Sequence, residues 1–387
     1  MLESPKSMIG RRRENTLPIG PVCVALFFLV ALCAQPVWSA APAPTSSASQ
    51  VHLEGEGSSS LFPLLNVWAR EYRRLHPEVL VTYKSFGAKL GVKDLLSRSP
   101  QSVNGNKVLF AVTEVPLTNK QLPLTDEERA LAERQILQFP VTLQAVVPIY
   151  NLPQFSKLRF SGTTLADIFL GKITKWNDVA LARDNPGVDL PEIDIQLRHR
   201  FPPSSIIGSG SFDTSVMAAY LSKVSPDFKA ALDRSATDWP IAISSSRWDD
   251  GSLIANTPGA MGYFWGPQSD VQSGALRNRA GQFVTASPEA VTAASAAAVS
   301  SFSANVPNQV SITDPPGETA YPLASFIWIV FYKHPEGMQK QKTMINFLKW
   351  ILTDGQTLAR KHGYAPLADD LVKIELQSLN QFEKENK

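Results

Sequence analysis

Hydrophobic residues along the chain recur at two spacings, one typical of β-strands and one typical of α-helices. Short runs rich in β-branched and aromatic residues predict strands at 51–54, 78–83, 108–112, 141–150, 194–198 and 323–332. Apolar residues at helical spacing, beginning with Leu61, Leu64 and Leu65, predict a helix after the first strand. Further helices are predicted at 87–96, 288–303, 338–353 and 356–362, with two more beginning at Thr125 and near Asp213.

The order of these elements predicts an α/β protein of two lobes. Strands alternate with helices, which favours a mainly parallel sheet covered by helices. A chain of this length exceeds the size at which a single core usually stops growing. We expect residues 51–149 and 323–387 to form one lobe and residues 150–322 the other, with two hinge crossings near Tyr150 and Ala324. A cleft between two such lobes is a preferred place for a ligand.

The first residues predict export rather than a part of the fold. Three arginines at 11–13, an apolar run at 22–34 and small residues at 39–41 are typical of a cleaved signal peptide, which we place at 1–41. The Pro/Ala/Ser/Thr stretch 42–50 then predicts a disordered tether. A lipoprotein acylated at Cys33 is the alternative, and the bulky Leu32 before it disfavours this. The expected location is the periplasm.

Cleavage at this point changes the composition of the mature chain. Both cysteines, Cys23 and Cys33, lie in the removed segment, so neither a disulfide nor a thiolate metal site is available afterwards. Four basic and two acidic residues are also removed from totals of 37 and 35, which leaves 33 of each. A mature chain of zero formal charge has no global field to gather nucleic acid or an anionic membrane.

Two loop-to-helix transitions are candidate anion sites. Ser58, Ser59 and Ser60 precede the first helix, where free amides and hydroxyls bind anions; alternatively, one serine simply caps the helix. The Gly/Ser loop 208–211 precedes a second helix, whose cap candidates are Asp213, Thr214 and Ser215.

Three charged residues complete the candidates, and two of them, Arg200 and Glu114, follow predicted strands. Arg200 could offer a bidentate fork to an oxyanion, and Glu114 could accept the proton of a hydrogen phosphate. Lys89 could bring positive charge to the cleft. Each of the three could equally be a solvated surface residue.

The sequence contains few patterns that indicate catalysis or metal binding. It has no H-E-x-x-H, no G-x-S-x-G and no P-loop motif, and its five histidines lack metal-ligand spacing. We therefore expect that the protein binds no cofactor and is not an enzyme. A secreted hydrolase using Ser59 or Ser211 is a further hypothesis, for which the motifs offer no base.

The segment 165–178 is the clearest motif. Thr164 and Asp167 have the spacing of a helix cap, Gly171 can close the last turn in the left-handed conformation, and the following turn should bury Ile173 and Trp176. This segment resembles one that is typical of the phosphate-binding proteins serving ABC-type phosphate importers. Supporting motifs lie at 57–63, 87–93, 114–117, 185–187, 220–224, 239–240, 258–263 and 363–367.

The resemblance covers about 51–367 and implies a fold, a ligand and a partner. The implied fold is the two-lobed periplasmic-binding-protein-like fold (type II), whose lobes close on inorganic phosphate, in the form of hydrogen phosphate or a related oxyanion. The implied partners are ABC permease subunits, with the protein itself a monomer. The ligand positions implied are Ser60, Leu61, Phe62, Ala88, Lys89, Glu114, Arg200, Ser211, Asp213 and Thr214.

Several of these positions depart from the family pattern. Leu61 replaces a threonine, Ala88 and Lys89 replace a pair of serines, and Glu114 replaces an aspartate. Ungapped alignment places 211–213 on the family's Ser-Gly-Thr loop, whereas a two-residue insertion places 208–211 there. Two hypotheses follow: capture of phosphate for import, or the same scaffold with a degenerate phosphate site that binds another ligand or acts in envelope interactions.

Overall fold

The computed structural model describes residues 50–97, 108–117, 124–199, 212–235, 252–299, 312–333 and 337–385. These residues all belong to one compact unit. The predicted signal peptide and tether lie outside the described residues, apart from Gln50. Arg200, the loop 208–211 and Trp239 also lie outside them.

Helices and strands alternate through most of the fold. The helices are α1 (Phe62–Leu75), α2 (Ala88–Ser97), α3 (Asp126–Gln135), α4 (Gly162–Phe169), α5 (Val179–Asp184), α6 (Phe212–Val224), α7 (Pro226–Asp233), α8 (Ser252–Ala255), α9 (Pro288–Ala298), α10 (Met338–Leu352), α11 (Asp354–Lys361) and α12 (Asp369–Glu385). The strands are β1 (Val51–Gly57), β2 (Val79–Lys84), β3 (Phe110–Thr113), β4 (Ile136–Tyr150), β5 (Arg159–Phe160), β6 (Gln196–Leu197), β7 (Ala260–Trp265), β8 (Gln272–Ser273), β9 (Ala275–Arg277), β10 (Phe283–Val284) and β11 (Ala324–Tyr332).

Among the described residues, one large sheet runs in the order β2-β1-β3-β11-β4-β7-β6, with β8 also paired to β4. A smaller sheet has the order β10-β9-β5. β1 pairs in parallel with β2 and β3, and β6 with β7. The expectation of a mainly parallel sheet is wrong, because β11 enters between β3 and β4 and runs antiparallel to both. A strand that is buried on both faces is apolar throughout, whichever way it runs. The hydrophobic pattern of β11 therefore does not indicate its direction in the sheet.

β4 connects the two halves of the large sheet. Residues 136–145 pair with β11, whereas residues 146–150 pair with β7. Nearly all of this 15-residue strand is buried, and Gln144 is one of the few positions that are not. The strand therefore spans both halves of the sheet, and groups from distant parts of the sequence are placed along it.

The predicted core residues are buried. Trp68 and Trp176 have no exposed surface, and each donates its indole N–H to a backbone carbonyl, that of Gly355 and that of Gly259, both at 2.9 Å. Burial of such large rings contributes much of the stability of the fold, and the hydrogen bonds satisfy their polar edges.

The segment 165–178 folds largely as predicted. Gly171 has a φ of 70°, and Ile173 and Trp176 are buried. The predicted cap is wrong, because α4 begins earlier and Ser161 is its cap, its side chain accepting the amide N–H of Thr164. Asp167 instead lies 3.3 Å from the ammonium of Lys172.

Other helix boundaries agree with the sequence or extend it. The Thr125–Glu128 capping box is present at the start of α3. Helix α12 is not among the predicted helices, since its apolar residues are sparse and its start, Asp369 and Asp370, is exposed. In the part of the chain that is described, no helix is both long and apolar enough to cross a membrane.

Candidate functional site

A cavity of about 630 Å³ opens beyond the carboxyl ends of the parallel strands β1 and β3. Ligands in open α/β sheets typically bind outside this edge. Residues from eight separate stretches of the chain line the cavity: Ser58, Ser59, Ser60, Gly87, Ala88, Glu114, Leu143, Gln144, Ala145, Phe212, Phe264, Trp265, Gly266, Pro267, Ala286, Ser287, Pro288, Val291, Gly363, Tyr364 and Ala365.

The serine loop leads from β1 into α1 without supplying a helix cap. The N-cap residue of α1 is Leu61, and no side-chain capping hydrogen bond is made there. The hypothesis that one serine simply caps this helix is therefore wrong. Few amides of this first turn remain for a ligand. The amide of Phe62 donates to the carbonyl of Ser59 at 3.3 Å, and Pro63 has no N–H. The backbone of Leu64 is hydrogen-bonded to the Tyr364 side chain. The helix dipole still favours an anion at this end, and no acidic residue lies in the first turn.

The serine hydroxyls contact Glu114 instead. Ser58 Oγ donates to Oε1 of Glu114, and Ser60 Oγ donates to the same oxygen at 3.0 Å. The two hydroxyl oxygens lie 2.7 Å apart, and Ser58 Oγ also accepts the amide N–H of Ser60 at 3.0 Å. The other carboxylate oxygen, Oε2, is buried and has no hydrogen-bond partner among the residues described.

Burial dominates the electrostatics of Glu114. It raises the pKa of this carboxyl above its ordinary value, the hydrogen bonds from Ser58 and Ser60 oppose the rise, and the charge of Asp213 adds to it. Glu114 therefore holds a proton more readily than an exposed glutamate. When ionised, Glu114 can accept a hydrogen bond from a ligand oxygen that carries a proton. When protonated, it can donate a hydrogen bond to a ligand oxygen that carries none.

Two tyrosines hold the backbone of the serine loop. Tyr83 donates its hydroxyl to the carbonyl of Ser58 at 2.7 Å, and Tyr364 donates to the carbonyl of Ser60 at 2.7 Å. Burial raises the pKa of Tyr364 to about 12, so its hydroxyl remains a donor at neutral pH. The loop is thus fixed from both sides before any ligand arrives.

The N-terminus of α2 lies beside this loop. The amide of Gly87 donates to the carbonyl of Gly57 at 2.8 Å, which ties the start of α2 to the end of β1. Gly91 allows the close contact, since a Cβ there would lie 2.6 Å from the Cα of Gly57. Gly87 and Ala88 consequently line the cavity, and the amide of Ala88 is available although its side chain has no hydroxyl.

The start of α6 brings an acidic residue towards the site. Asp213 and Thr214 are fully buried, and Asp213 Oδ1 accepts the amide N–H of Thr214 at 2.7 Å. The hydroxyls of Thr214 and Tyr263 are 2.7 Å apart. Phe212, rather than Asp213, is the residue of this helix that lines the cavity. The negative charge of Asp213 nevertheless influences Glu114.

The structure thus brings some of the predicted ligand positions together and separates others. Ser60, Ala88 and Glu114 line one cavity. Leu61 is buried, Phe62 is 38% exposed and packs near Tyr83, and Lys89 is half-buried and not among the lining residues. Arg200 and Ser211 lie outside the described residues.

Sequence reasoning missed Gln144, Trp265 and Tyr364. Gln144 donates through Nε2 to the carbonyl of Ser60 at 3.4 Å, and its Oε1 is buried with no partner in the described part of the chain. A single amide within an otherwise apolar strand was the available signal for it. Trp265 lies in an apolar segment without such a signal, whereas Tyr364 lies in the motif 363–367, which supports the resemblance without marking this side chain as part of a site. Nor do the described residues contain any group of three or more His, Cys, Asp or Glu that could hold a metal ion.

Comparisons with known proteins identify the family of this chain. Residues 42–355 match the family model of the PBP superfamily domain. The chain is 30% identical over 353 residues to the phosphate-binding protein PstS of Xylella fastidiosa, covering 89% of each chain. It is 31% identical over 334 residues to PstS of Pasteurella multocida, covering 84% of this chain and 89% of that one.

Solved structures show the fold. A phosphate-binding protein from Stenotrophomonas maltophilia superposes with a TM-score of 0.56 at 17% identity, covering 84% of this chain and 93% of the other. A candidate phosphate ABC-transporter substrate-binding protein from Clostridium perfringens, solved with bound phosphate, gives 0.52 at 16% identity, covering 82% and 99%. The two-lobed architecture of periplasmic binding proteins is therefore present in this chain.

Proposed function

The chain belongs to the phosphate-binding proteins of the PBP superfamily, and on that premise we propose that it captures inorganic phosphate in the cavity beyond β1 and β3. The observation that supports this most strongly is the buried Glu114, which faces two serine hydroxyls at the uncapped N-terminus of α1. Amides, hydroxyls and one titratable carboxyl together are suited to an oxyanion that carries one proton.

Phosphate would be bound chiefly by backbone amides. The serine loop before α1 and the start of α2 line the same cavity, so backbone amides there and the dipoles of the two helices would favour negative charge between them. The hydroxyl of Ser60 now donates to Glu114, and an arriving oxyanion would compete for that hydrogen. Arg200 and the loop 208–211, which belong to the same proposal, would add positive charge and further donors.

Glu114 would set the choice of ion. Hydrogen phosphate brings one P–OH group, whose proton the ionised carboxylate accepts through Oε2. Sulfate brings no proton near neutral pH, so an ionised Glu114 repels it, and a protonated Glu114 is needed before it can bind. Because burial raises the pKa of Glu114, this selection against sulfate should weaken as the pH falls.

The proposed biological role is delivery to an importer rather than catalysis. We infer that the lobes 51–149 with 323–387 and 150–322 close over phosphate by a hinge movement, and that an ABC-type permease accepts the closed, monomeric form. Cleavage after the segment 1–41 would place the protein in the periplasm. The phosphate-bound relative of the same fold supports this role.

Equilibrium dialysis with radiolabelled phosphate tests the proposal. The chain should first be unfolded and refolded, so that any bound ligand is removed. We expect saturable one-site binding with a Kd at or below about 10 μM, in the range of specific binding proteins. Absence of saturation up to millimolar phosphate would overturn the proposal.

A second candidate function rests on Asp213. This carboxylate already occupies the amide of Thr214 at the start of α6, and its charge acts on Glu114. A fixed negative group there would disfavour a dianion, as expected if the scaffold has lost tight phosphate binding. The effect of neutralising Asp213 on phosphate affinity distinguishes this candidate function from the first.

A further inference from the structure

Gln144 carries a hydrogen-bond acceptor for which the described part of the chain offers no donor. Its Oε1 is buried and has no hydrogen-bond partner there. The side chain belongs to the lining of the cavity beyond β1 and β3, although it comes from the otherwise apolar strand β4. A buried acceptor without a donor costs free energy. A ligand that brings a donor to this point therefore gains affinity from it.

The orientation of the Gln144 amide is fixed by its other end. Nε2 donates to the carbonyl of Ser60 at 3.4 Å, and the same carbonyl accepts the hydroxyl of Tyr364 at 2.7 Å. A carbonyl oxygen accepts hydrogen bonds and never donates one. A flipped amide would place Oε1 against this carbonyl, where two acceptors repel each other. Oε1 therefore points away from the Ser60 carbonyl and remains an acceptor.

Glu114 supplies a second acceptor close to the first. Its Oε2 is also buried and without a partner among the residues described. Ser60 contacts both side chains, Gln144 through its carbonyl and Glu114 through its hydroxyl, the latter at 3.0 Å. Ser325 of β11 is paired with Gln144 and donates its hydroxyl to the carbonyl of Glu114 at 3.1 Å. The serine loop and the sheet thus both hold the two acceptors at one site.

Two acceptors at one anion site require two hydrogens from the ligand. Hydrogen phosphate carries a single P–OH group, which satisfies either Gln144 or an ionised Glu114 but not both. Dihydrogen phosphate carries two P–OH groups and keeps two bare oxygens. Those bare oxygens can accept from the amide of Ala88 and the hydroxyl of Ser60, which line the same cavity. The ion with two hydrogens therefore matches this set of donors and acceptors.

We propose that Gln144 is a specificity-determining residue, whose Oε1 accepts a second P–OH group, so that phosphate is bound with two hydrogens rather than one. The inference rests on the proposed function, since it concerns the same ion in the same cavity. When hydrogen phosphate meets an ionised Glu114, one proton is taken up from solvent. The complex then holds two hydrogens, one between the ligand and Glu114 Oε2 and one between the ligand and Gln144 Oε1.

Calorimetry on the full chain, refolded to remove bound ligand, tests the proposal with inorganic phosphate as the probe. Titrations at pH 8 in two buffers of different protonation enthalpy give the number of protons taken up per phosphate bound. We expect about one proton, because most free phosphate at pH 8 carries a single hydrogen. Phosphate binding without proton uptake would overturn the inference and leave the proposed function intact. Absence of phosphate binding would overturn both.

The variant Gln144→Met removes the acceptor and keeps a flexible side chain of similar length. We expect its proton uptake to fall close to zero. Its phosphate affinity should change less than about threefold between pH 8 and pH 9, where the parent should lose about tenfold. Proton uptake that persists in Gln144→Met would place the second hydrogen on Glu114 alone and contradict the role of Gln144.

A matched control and the parent itself keep this test decisive. Gln339→Met, at an exposed position of α10 outside the lining residues, should take up protons as the parent does. Thermal unfolding of Gln144→Met verifies that the variant is folded. The proton count of the parent decides whether a second hydrogen is bound even if Gln144→Met does not fold.

Discussion

The hydroxyl of Ser60 donates a 3.0 Å hydrogen bond to Oε1 of Glu114, a residue 54 positions later in the chain. The contact exists because β1 and β3 are parallel neighbours, so that the loops at their carboxyl ends meet. A donor from one loop and a buried carboxyl from the other thus lie at the entrance of α1. The function we propose depends on this pair.

Removing the hydroxyl of Ser60 should weaken phosphate binding. We expect Ser60→Ala to lower the affinity about tenfold, the effect of losing one hydrogen bond to a charged ligand. Ser59→Ala is the matched control, because Ser59 is exposed and its side chain makes no hydrogen bond with the residues described. Isothermal titration of both variants decides the matter. A larger loss for Ser59→Ala would contradict the assignment.

Neutralising Asp213 should reveal whether the anion loop is obstructed. If its charge opposes the ligand, Asp213→Asn should raise phosphate affinity at least tenfold by removing a buried like charge. Asp233→Asn, at an exposed position near the end of α7, is the control. Weaker or unchanged binding in Asp213→Asn would show that Asp213 supports the site, and would remove the observation behind the degenerate-site candidate.

The close contact between α2 and β1 should be sensitive to a single methyl group. In Gly91→Ala, the added Cβ would lie 2.6 Å from Gly57 Cα and 2.7 Å from the backbone of Glu56, so α2 must move. We expect a loss of about 2 kcal/mol in unfolding free energy and weaker phosphate binding, since the start of α2 lines the cavity. Urea denaturation and calorimetry measure the two effects. Lys93→Ala in the same helix should show neither, and a Gly91→Ala variant with parental stability would refute this packing.

Glu375 should make stability depend on pH. It is buried in α12, and burial raises its pKa to about 8 from 4.5. A raised pKa in the folded state means that the stabilising, protonated form is fully present below about pH 4.5 and is lost as the pH rises through about 8. Glu375→Gln should therefore gain on the order of 2–4 kcal/mol relative to the parent between pH 5 and pH 9.

Thermal unfolding of parent and variant at both pH values measures this difference. Glu385→Gln, at the exposed end of the same helix, should track the parent throughout. If the difference between Glu375→Gln and the parent does not change with pH, Glu375 does not titrate in the way its burial requires.

Much of the fold followed from local pattern. The capping box at Thr125 and the left-handed Gly171 depend on side chains and conformations within one turn, so the sequence contains all that is needed to predict them. The direction of β11 cannot be predicted in this way, because it depends on how the chain returns to the sheet. Helix α12 could not be predicted from local pattern because its partners lie elsewhere in the sequence, as Lys349 of α10 does, which pairs with Glu383 at 2.9 Å.

The candidate site was only partly predictable for the same reason. Ser60 and Glu114 could be proposed one by one from their places before a helix and after a strand. That Ser58 and Ser60 share one oxygen of Glu114 depends on the pairing of β1 with β3. Gln144 and Trp265 enter the site through β4 and its neighbour, which no local motif marks.

The central claim is that Glu114 selects phosphate over sulfate because its ionised carboxylate accepts the hydrogen of the P–OH group, which sulfate lacks. The most direct test is competition of sulfate against bound phosphate at pH 8, measured by calorimetry for the parent and for Glu114→Gln. Gln mimics a permanently protonated Glu114, so sulfate should bind this variant at least tenfold more tightly than the parent at pH 8. The difference between variant and parent should shrink as the pH falls, because Glu114 of the parent then becomes protonated. Glu133→Gln, at an exposed position on α3, should behave like the parent. Equal sulfate affinity in the parent and Glu114→Gln at pH 8 would contradict the claim.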